Sequence, residues 1–272
     1  MKNLGLPKKV LYCKKCVISN QRPSSTVEFK AKIKEKKKTI FFDKKGICDA
    51  CNFNEIKNKI NWADRDIDLE KLLRQFRKSN GEYDVIVPGS GGKDSAFTSH
   101  ILKYKYGMNP LTVTWSPHLY TDIGWKNFEN WSKIGGLDNI LFTPNGKLHS
   151  YLTQQSFLNL LHPFQPFIVG QRIIGPLFAS KYNIKLVMYG ENQAEYGNKA
   201  LENKNPKMKN VFFSNKNKHK IILGGRTIKS IIDNTKFNIA DLQPYIPLKE
   251  DYLIKQKIEV HYLGYYIKWD PQ

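Results

Sequence analysis

The chain contains a short run of small and charged residues, 90–95, whose composition suits an anion-binding loop that also holds a cation. Its glycines allow consecutive backbone N–H groups to point at one anion, and the start of a following helix adds the positive end of its dipole. Lys93 adds a point charge, whereas a carboxylate at Asp94 suits a bound phosphate only if a cation accompanies it. We therefore predict a Mg²⁺-pyrophosphate site in which Lys93 and Asp94 are catalytic and Asp94 binds Mg²⁺. The predicted nucleotide-binding residues of this run are Ser90, Gly91, Gly92, Lys93 and Ser95.

The elements on either side are those that a phosphate-binding loop requires. Residues 85–87 are apolar and β-branched, which predicts a buried strand, and residues 96–106 have helical spacing. The Walker pattern is different, because it has a longer interval between its first glycine and its Gly-Lys pair. Strand, Ser-Gly-Gly-Lys-Asp-Ser and helix together resemble the PP-loop of the ATP pyrophosphatase superfamily, whose members split ATP into AMP and pyrophosphate. The alternative is an ordinary glycine-rich turn with a chance lysine.

A second candidate site element, residues 190–195, follows another predicted strand and carries two carboxylates. In related PP-loop enzymes a Gly-His-Asn-x-x-Asp segment occupies this place. The resemblance therefore implies that Glu195 is catalytic and binds Mg²⁺. We assign Gly190 to the nucleotide, and Glu191 and Asn192 to the substrate. The alternative is a solvated loop at the end of a strand.

The rest of the chain alternates strands with helices, which predicts an α/β fold with a doubly wound parallel sheet of the PP-loop (HUP-like) type. Ligands of such sheets bind beyond the carboxyl ends of the strands. We therefore assign Thr114 to the nucleotide and His118 to the substrate. His118, His149 and His162 have no mutual spacing typical of a metal site, so His118 alone of these receives a role. The predicted strands are 85–87, 111–115, 139–142, 185–189 and 257–269, and the later predicted helices are 122–134, 147–161 and 170–182.

We make more specific predictions for two further segments. Trp125, Phe128 and Trp131 share one face of the helix predicted over residues 122–134, which predicts core packing against the sheet. Residues 203–220 are rich in lysine and asparagine and are predicted to form a mobile loop that could act as a lid.

All four cysteines form two CxxC pairs, Cys13/Cys16 and Cys48/Cys51. Four thiolates spaced in this way predict a tetrahedral structural Zn²⁺ site. A disulfide pair is disfavoured in a reducing cytosol, and a redox CxxC belongs on a βαβ unit, whereas an iron–sulfur cluster uses the same ligands and stays open. We predict a zinc-binding module over residues 1–60, a helical connector over 61–80 and a PP-loop ATP pyrophosphatase domain over 81–272.

The composition of the 272 residues is that of a globular protein, with 40% hydrophobic residues and a formal net charge of +20. No apolar run has the length of a membrane span, and the first residues do not resemble a signal peptide, so we expect a cytoplasmic protein without a membrane partner. Because lysine and asparagine are enriched together, charge alone favours a phosphate-rich small substrate and RNA about equally.

Besides the paired cysteines and the loop, several short segments spread along the chain have a recognisable pattern: residues 114–118, 124–128, 142–146, 162–167, 189–192, 195–197 and 262–266. Together they resemble the N-acetyl sugar amidotransferases of bacterial surface-polysaccharide (lipopolysaccharide O-antigen) and nonulosonic-acid pathways. The resemblance covers nearly the whole chain in register. One departure is that members of this family usually continue past residues 269–272, so we expect a shortened or truncated form.

The resemblance implies that ATP adenylates the oxygen of a sugar N-acetyl group and that ammonia then displaces AMP, which leaves an acetamidino group. The substrate is expected to be an acidic sugar nucleotide or a nonulosonate. A separate glutaminase subunit is expected to supply ammonia, because the four cysteines are assigned to zinc and residue 2 is lysine. We expect no nucleic-acid partner. A tRNA-modifying PP-loop ATPase is the alternative, and a zinc-bearing binding subunit with a vestigial loop is a third interpretation.

Overall fold

A computed structural model describes residues 7–24, 27–30, 32, 38–190, 205–216 and 221–268. In these ranges, short 3₁₀ helices cover Glu28–Lys30, Asn210–Phe212, Gln243–Tyr245 and Leu263–Tyr265. The helices and strands in chain order are α1 (Asp49–Lys57), α2 (Trp62–Phe76), β1 (Val85–Pro88), α3 (Lys93–Tyr104), β2 (Pro110–Trp115), α4 (Asp122–Lys133), β3 (Asp138–Phe142), α5 (Gly146–Leu160), α6 (Gln165–Lys181), β4 (Leu186–Tyr189), β5 (Ser214–Asn215), β6 (Ile222–Leu223), β7 (Arg226–Thr227), α7 (Ile228–Asp233), α8 (Ile239–Leu242), β8 (Leu248–Lys249), α9 (Glu250–Lys255) and β9 (Glu259–Tyr262).

Five parallel strands form the central sheet in the order β3-β2-β1-β4-β9. The chain runs outward from β1 through β2 to β3, returns through α5 and α6, and then adds β4 and β9 on the other side of β1. The strand order therefore reverses between β1 and β4, and ligands of open α/β sheets bind in the crevice at such a point. The predicted α/β fold with a doubly wound parallel sheet is confirmed.

Helices cover both faces of the sheet, which explains why its central strands β1 and β4 are apolar runs without alternation. On one face Ile86, Val113 and Val187 are buried in a large cluster that includes residues of α5 and α6. On the other face Val87 and Met188 are buried in a cluster that includes residues of α2 and the last 3₁₀ turn. Burial on both faces makes the central strands a firm support for the loops at their carboxyl ends.

Helix α6 begins at Gln165, five residues before the predicted start at residue 170, so that prediction was wrong at its first turn. Pro166 lies in the first turn of α6, where the missing N–H of proline costs no hydrogen bond. Gln165 is fully buried, and its amide donates to the carbonyl oxygens of Glu28 (2.9 Å) and Ile222 (3.1 Å) and accepts from the N–H of Gly224 (3.0 Å). Gln165 lies before the predicted helix, and in the structure it joins three segments of the core.

The predicted mobile loop over residues 203–220 was wrong for residues 205–216. Met208 donates its N–H to the carbonyl oxygen of Val260, and both Met208 and Phe213 are buried. Strand β5, inside this segment, pairs with β8. Residues 203–204 and 217–220 lie outside the described ranges.

Two smaller predictions also require correction. The predicted final strand over residues 257–269 is shorter, because β9 ends at Tyr262 and a 3₁₀ turn follows. On α4, Phe128 and Trp131 are buried as predicted, but Trp125 is 40% exposed. Trp131 donates its indole N–H to the hydroxyl of Ser99 on α3 (2.7 Å), so this aromatic face packs on a neighbouring helix and not on the sheet alone. Among the described residues, no helix is both long and apolar enough to cross a membrane.

Candidate functional site

The predicted phosphate loop joins β1 to α3 at the carboxyl edge of the sheet. Gly91 has a φ of +78°, a left-handed conformation that residues with a Cβ rarely adopt. A Cβ on Gly91 would also lie 2.8 Å from Cα of Phe128 on α4. Glycine is therefore required at this position twice over, for its conformation and for the close approach of α4.

The backbone of the loop can receive an anion. In the described part of the chain, no hydrogen bond occupies the N–H groups of Ser90, Gly91 and Gly92. Gly92 is the N-cap of α3 and, as a glycine, offers no side chain to cap the first turn. These free donors and the positive end of the helix dipole favour a negatively charged ligand.

Two charged residues of opposite sign follow at once. The Nζ atom of Lys93 lies 4.0 Å from Oδ1 of Asp94, and the two side chains are 59% and 26% exposed. An ion pair at this distance and exposure is weak, so it does not prevent either group from contacting a ligand. The arrangement allows Lys93 to neutralise phosphate oxygens and Asp94 to supply a carboxylate oxygen to Mg²⁺.

Ser95 is predicted to bind phosphate, but in this conformation its hydroxyl stabilises the loop. It is buried and donates to the carbonyl oxygen of Gly92 over 3.1 Å. Thr114 is likewise at the predicted strand end, where it is fully buried and its hydroxyl accepts a hydrogen bond from the amide of Asn139 (3.1 Å). The nucleotide-binding roles of Ser95 and Thr114 stay predictions.

The end of β4 lies directly against the loop helix. A Cβ on Gly190 would lie 2.5 Å from Oγ1 of Thr98 and 2.7 Å from the carbonyl oxygen of Asp94. The structure therefore brings Gly190 together with Asp94 at the point where the strand order reverses, as the sequence predicts for a shared site. The other predicted residues of this segment, Glu191, Asn192 and Glu195, lie outside the described ranges, and their roles stay predictions.

His118 follows β2 at the same edge of the sheet, but it has a partner that the sequence interpretation passed over. Its Nε2 atom lies 3.1 Å from Nε2 of His149 on α5, and the two ring centroids are 4.6 Å apart. Nδ1 of His149 lies 2.6 Å from the hydroxyl of Tyr245. A signal was present, because α5 begins directly after β3 and therefore starts at the carboxyl edge too. The sequence interpretation gave a role to His118 alone and did not anticipate this contact; the substrate-binding role of His118 stays a prediction.

Burial governs the electrostatics of this histidine pair. It lowers the pKa of His149 to about 4, with a smaller contribution from the neighbouring His118 imidazole. Partial desolvation by its neighbours also lowers the pKa of His118, although the residue as a whole is exposed. Both imidazoles are therefore neutral at pH 7, and the pair presents hydrogen-bonding groups without charge.

The four cysteines lie together near the N-terminus and could bind a metal ion such as zinc. Their sulfur atoms all lie within 4.8 Å of one another. The Cys13–Cys51 and Cys16–Cys48 distances are 3.9 Å and 3.7 Å, close to the roughly 3.8 Å expected between sulfurs around a tetrahedral Zn²⁺ with Zn–S bonds of about 2.3 Å. They are far longer than the roughly 2.05 Å of a disulfide. The chemistry of this donor set therefore fits a metal site with four cysteine ligands.

Backbone donors support thiolate at one corner of this cluster. The N–H groups of Cys48 and Lys15 lie 3.3 Å and 3.4 Å from Sγ of Cys13. Burial raises the pKa of Cys13, but these and other backbone hydrogen bonds outweigh it and lower the pKa to about 6. Burial raises the pKa of Cys51. Of these two thiols, Cys13 loses its proton more readily.

No family model matches the chain. An uncharacterized protein of Methanocaldococcus jannaschii is 36% identical to it over 77 residues, which are 28% of this chain and 27% of that protein. The chain thus aligns with about a quarter of the length of this relative.

Two solved structures match part of the chain at low similarity, each with 16% identity and a TM-score of 0.39 over 50% of this chain. One is the NH3-dependent NAD synthetase from Campylobacter jejuni, of which 59% is covered, and the other is the NMN synthetase from Francisella tularensis, of which 57% is covered. The fold class is established by the order and register of the chain's own strands. By these criteria it is an α/β protein with a doubly wound parallel sheet.

Proposed function

We propose that the chain is an ATP-dependent amidotransferase that converts a sugar N-acetyl group to an acetamidino group and releases AMP and pyrophosphate. The observation that carries the proposal is the loop from β1 to α3. Its N–H groups at residues 90–92 are unoccupied by hydrogen bonds within the described residues, Lys93 and Asp94 follow, and Gly190 adjoins it at the reversal of strand order. Such a loop suits a pyrophosphate that arrives with a cation.

The reaction follows from the weakness of an amide as an electrophile. In the first step the amide oxygen attacks the α-phosphorus of ATP, the bond from that phosphorus to the bridging oxygen breaks, and pyrophosphate leaves with the electron pair. In the second step the lone pair of ammonia forms a bond to the activated carbon. A proton passes from the added nitrogen to water or a base, and AMP leaves with the former amide oxygen. The product is an amidinium group.

The residues of the loop have separate roles in this scheme. The N–H groups of residues 90–92 and the ammonium group of Lys93 would stabilise the charge that develops on pyrophosphate. Asp94 would hold Mg²⁺, together with Glu195, and the metal would neutralise the phosphate oxygens. Gly190, whose missing side chain lets the end of β4 approach Thr98 and Asp94, would adjoin the nucleotide. Cys13, Cys16, Cys48 and Cys51 would hold a structural Zn²⁺.

The ammonia of the second step is proposed to come from a separate glutaminase. A cysteine-dependent glutaminase requires a nucleophilic thiolate. All four cysteines of the chain lie in the one cluster near the N-terminus, where binding to a metal would leave them poorly available. The net charge of +20 supports an anionic substrate such as an acidic sugar nucleotide or a nonulosonate.

The test is to incubate the purified chain with ATP, Mg²⁺, ammonium chloride and either UDP-N-acetylglucosamine or N-acetylneuraminate. We expect AMP and pyrophosphate to form only with a sugar acceptor, and mass spectrometry to show replacement of one oxygen of the sugar by NH. Formation of ADP and phosphate would contradict the proposal. Glutamine should not replace ammonium unless a glutaminase is added, and glutamine-dependent turnover by the isolated chain would contradict the assignment of the cysteines.

A further inference from the structure

A chain of hydrogen bonds runs from the core to the surface beside the carboxyl edge of the sheet. Its inner end is the hydroxyl of Tyr245, which is fully buried and lies 2.6 Å from Nδ1 of His149. His149 is 8% exposed, and its Nε2 lies 3.1 Å from Nε2 of His118. His118 is exposed. Tyr245, at one end of these hydrogen bonds, is thus fixed in the core, whereas His118, at the other end, can reach a ligand.

Burial of Tyr245 sets the direction of these hydrogen bonds. A buried hydroxyl that donates no hydrogen bond costs about 1–3 kcal/mol, so Tyr245 donates to its partner, Nδ1 of His149. The proton of a neutral His149 must then be on Nε2, which donates to Nε2 of His118. His118 therefore accepts at Nε2 and carries its own proton on Nδ1. The hydroxyl of Thr153 also lies 3.1 Å from this Nε2, whose single lone pair is taken by the N–H of His149.

The surroundings of His118 are apolar and aromatic. Its ring centroid lies 5.4 Å from that of Phe167 and 5.8 Å from that of Phe164, which is itself 56% exposed. Desolvation lowers the pKa of both histidines, and Tyr245 is a further titratable group, in contact with His149. A ligand that reaches this place meets one neutral N–H donor beside two aromatic rings. Ligand sites for small molecules commonly have this make-up of apolar walls with a few placed polar groups.

We propose that His118, Phe164 and Phe167 form the subsite for the sugar ring of the substrate, and that His149 and Tyr245 are positioning residues that hold the Nδ1–H of His118 as a donor. A sugar ring offers hydroxyl and carbonyl oxygens that accept from a neutral donor, and C–H faces that pack on aromatic rings. A free phosphate would instead favour the charged and N–H-rich loop at residues 90–93. This subsite rests on the proposed function for the identity of its ligand.

The first test examines the tautomers without any substrate. Long-range ¹H–¹⁵N NMR spectra of the full chain at pH 7.5 should show His118 protonated on Nδ1 and His149 protonated on Nε2. Tyr245→Phe removes the buried donor with little change in volume, so it should abolish this fixed pattern. Protonation of His118 on Nε2 in the wild type, or an unchanged pattern in Tyr245→Phe, would overturn the proposed positioning.

The second test measures binding and kinetics with UDP-N-acetylglucosamine and N-acetylneuraminate. His118→Ala should raise the KM and Kd of the sugar about tenfold, the loss expected for one hydrogen bond with its packing, and leave the KM of ATP unchanged. His118→Asn, whose amide lies near the position of Nδ1, should retain more affinity than His118→Gln, whose amide lies near that of Nε2. His100→Gln on α3 is the matched control and should change neither constant.

These measurements separate the subsite from the reaction. Binding of either sugar that depends on His118, without formation of AMP, would contradict the proposed function and retain the subsite. Sugar-dependent formation of AMP with an unchanged sugar KM in His118→Ala would retain the function and overturn the subsite. Equal losses in His118→Asn and His118→Gln would show that the ring acts only by packing, which would also overturn the assigned donor.

Discussion

Acidification should destabilise the protein through His149, by an amount that its burial determines. The perturbation is a change from pH 7.5 to pH 5, together with His149→Asn. Burial lowers the pKa of this imidazole from 6.5 to about 4, so the unfolded chain binds a proton more readily than the folded one. The free energy of unfolding must therefore fall as the pH falls below about 6.5, and the fall ends once the pH is below about 4.

The magnitude follows from the two pKa values. The full difference of about 2.5 pKa units corresponds to about 3 kcal/mol. At pH 5 the folded His149 is still mostly neutral, and about 2 kcal/mol of this has been lost. Because His149 is only 8% exposed, screening by solvent does not reduce the value much. In His149→Asn the side-chain oxygen can still accept from Tyr245, but the titrating group is gone.

The assay is urea unfolding followed by tryptophan fluorescence at 25 °C across this pH range. The wild type should be more stable than His149→Asn at pH 7.5, and the difference should shrink by about 2 kcal/mol at pH 5. Subtraction cancels the contributions of all groups that the two proteins share, including the cysteine cluster. His100→Asn, at an exposed position on α3, should not reproduce the change. If the curves of wild type and His149→Asn stay parallel within about 0.5 kcal/mol, the burial argument is refuted.

Four further predictions concern the metal, the loop and binding to nucleic acid. The protein should contain about one zinc per chain, and Cys16→Ser should lower zinc content and loosen the N-terminal segment while ATP binding is retained; iron with a visible charge-transfer band would contradict this. Lys93→Ala or Asp94→Ala should slow the sugar-dependent formation of AMP roughly 10²-fold, whereas a rate within a few-fold of wild type would exclude them as charge stabilisers. Gly91→Ala should impair ATP binding, measured by calorimetry, because its Cβ would lie 2.8 Å from Cα of Phe128; normal affinity would show that the loop can shift at no cost. Binding to tRNA should be weak and should collapse as salt rises; tight, tRNA-selective binding at physiological salt would favour the tRNA-modifying alternative.

Local sequence patterns predicted the strands that are buried on both faces and the helices that are strongly amphipathic. The apolar runs of β1 and β4 could be found because a strand covered on both faces needs no contact information beyond its own composition. The phosphate loop could be found because its glycines and charged residues are consecutive. Gly190 could be found in the same way, because it directly follows the apolar run of β4.

The elements that sequence reasoning missed depend on partners far away in the chain. Met208 and Phe213 are buried because the segment that contains them pairs with β9 and β8, and a segment rich in lysine and asparagine gives no local sign of this. His149 has its contacts with His118, 31 residues earlier, and with Tyr245, 96 residues later. Periodicity within one helix carries no information on such contacts, whereas the rule on strand ends could have brought His149 to the same edge.

The buried amide of Gln165 has a consequence for the order in which the chain can fold during synthesis. It binds the carbonyl oxygen of Glu28, 137 residues earlier, and the adjacent Phe29 is buried in the same core as α6. At about 5–20 residues per second, a ribosome would need on the order of 10 s to add the intervening residues. During that time Phe29 cannot pack against the residues that bury it in the folded protein. The cysteine pairs need no such delay, because all four precede α2, so metal binding can organise the nascent N-terminus long before the sheet exists.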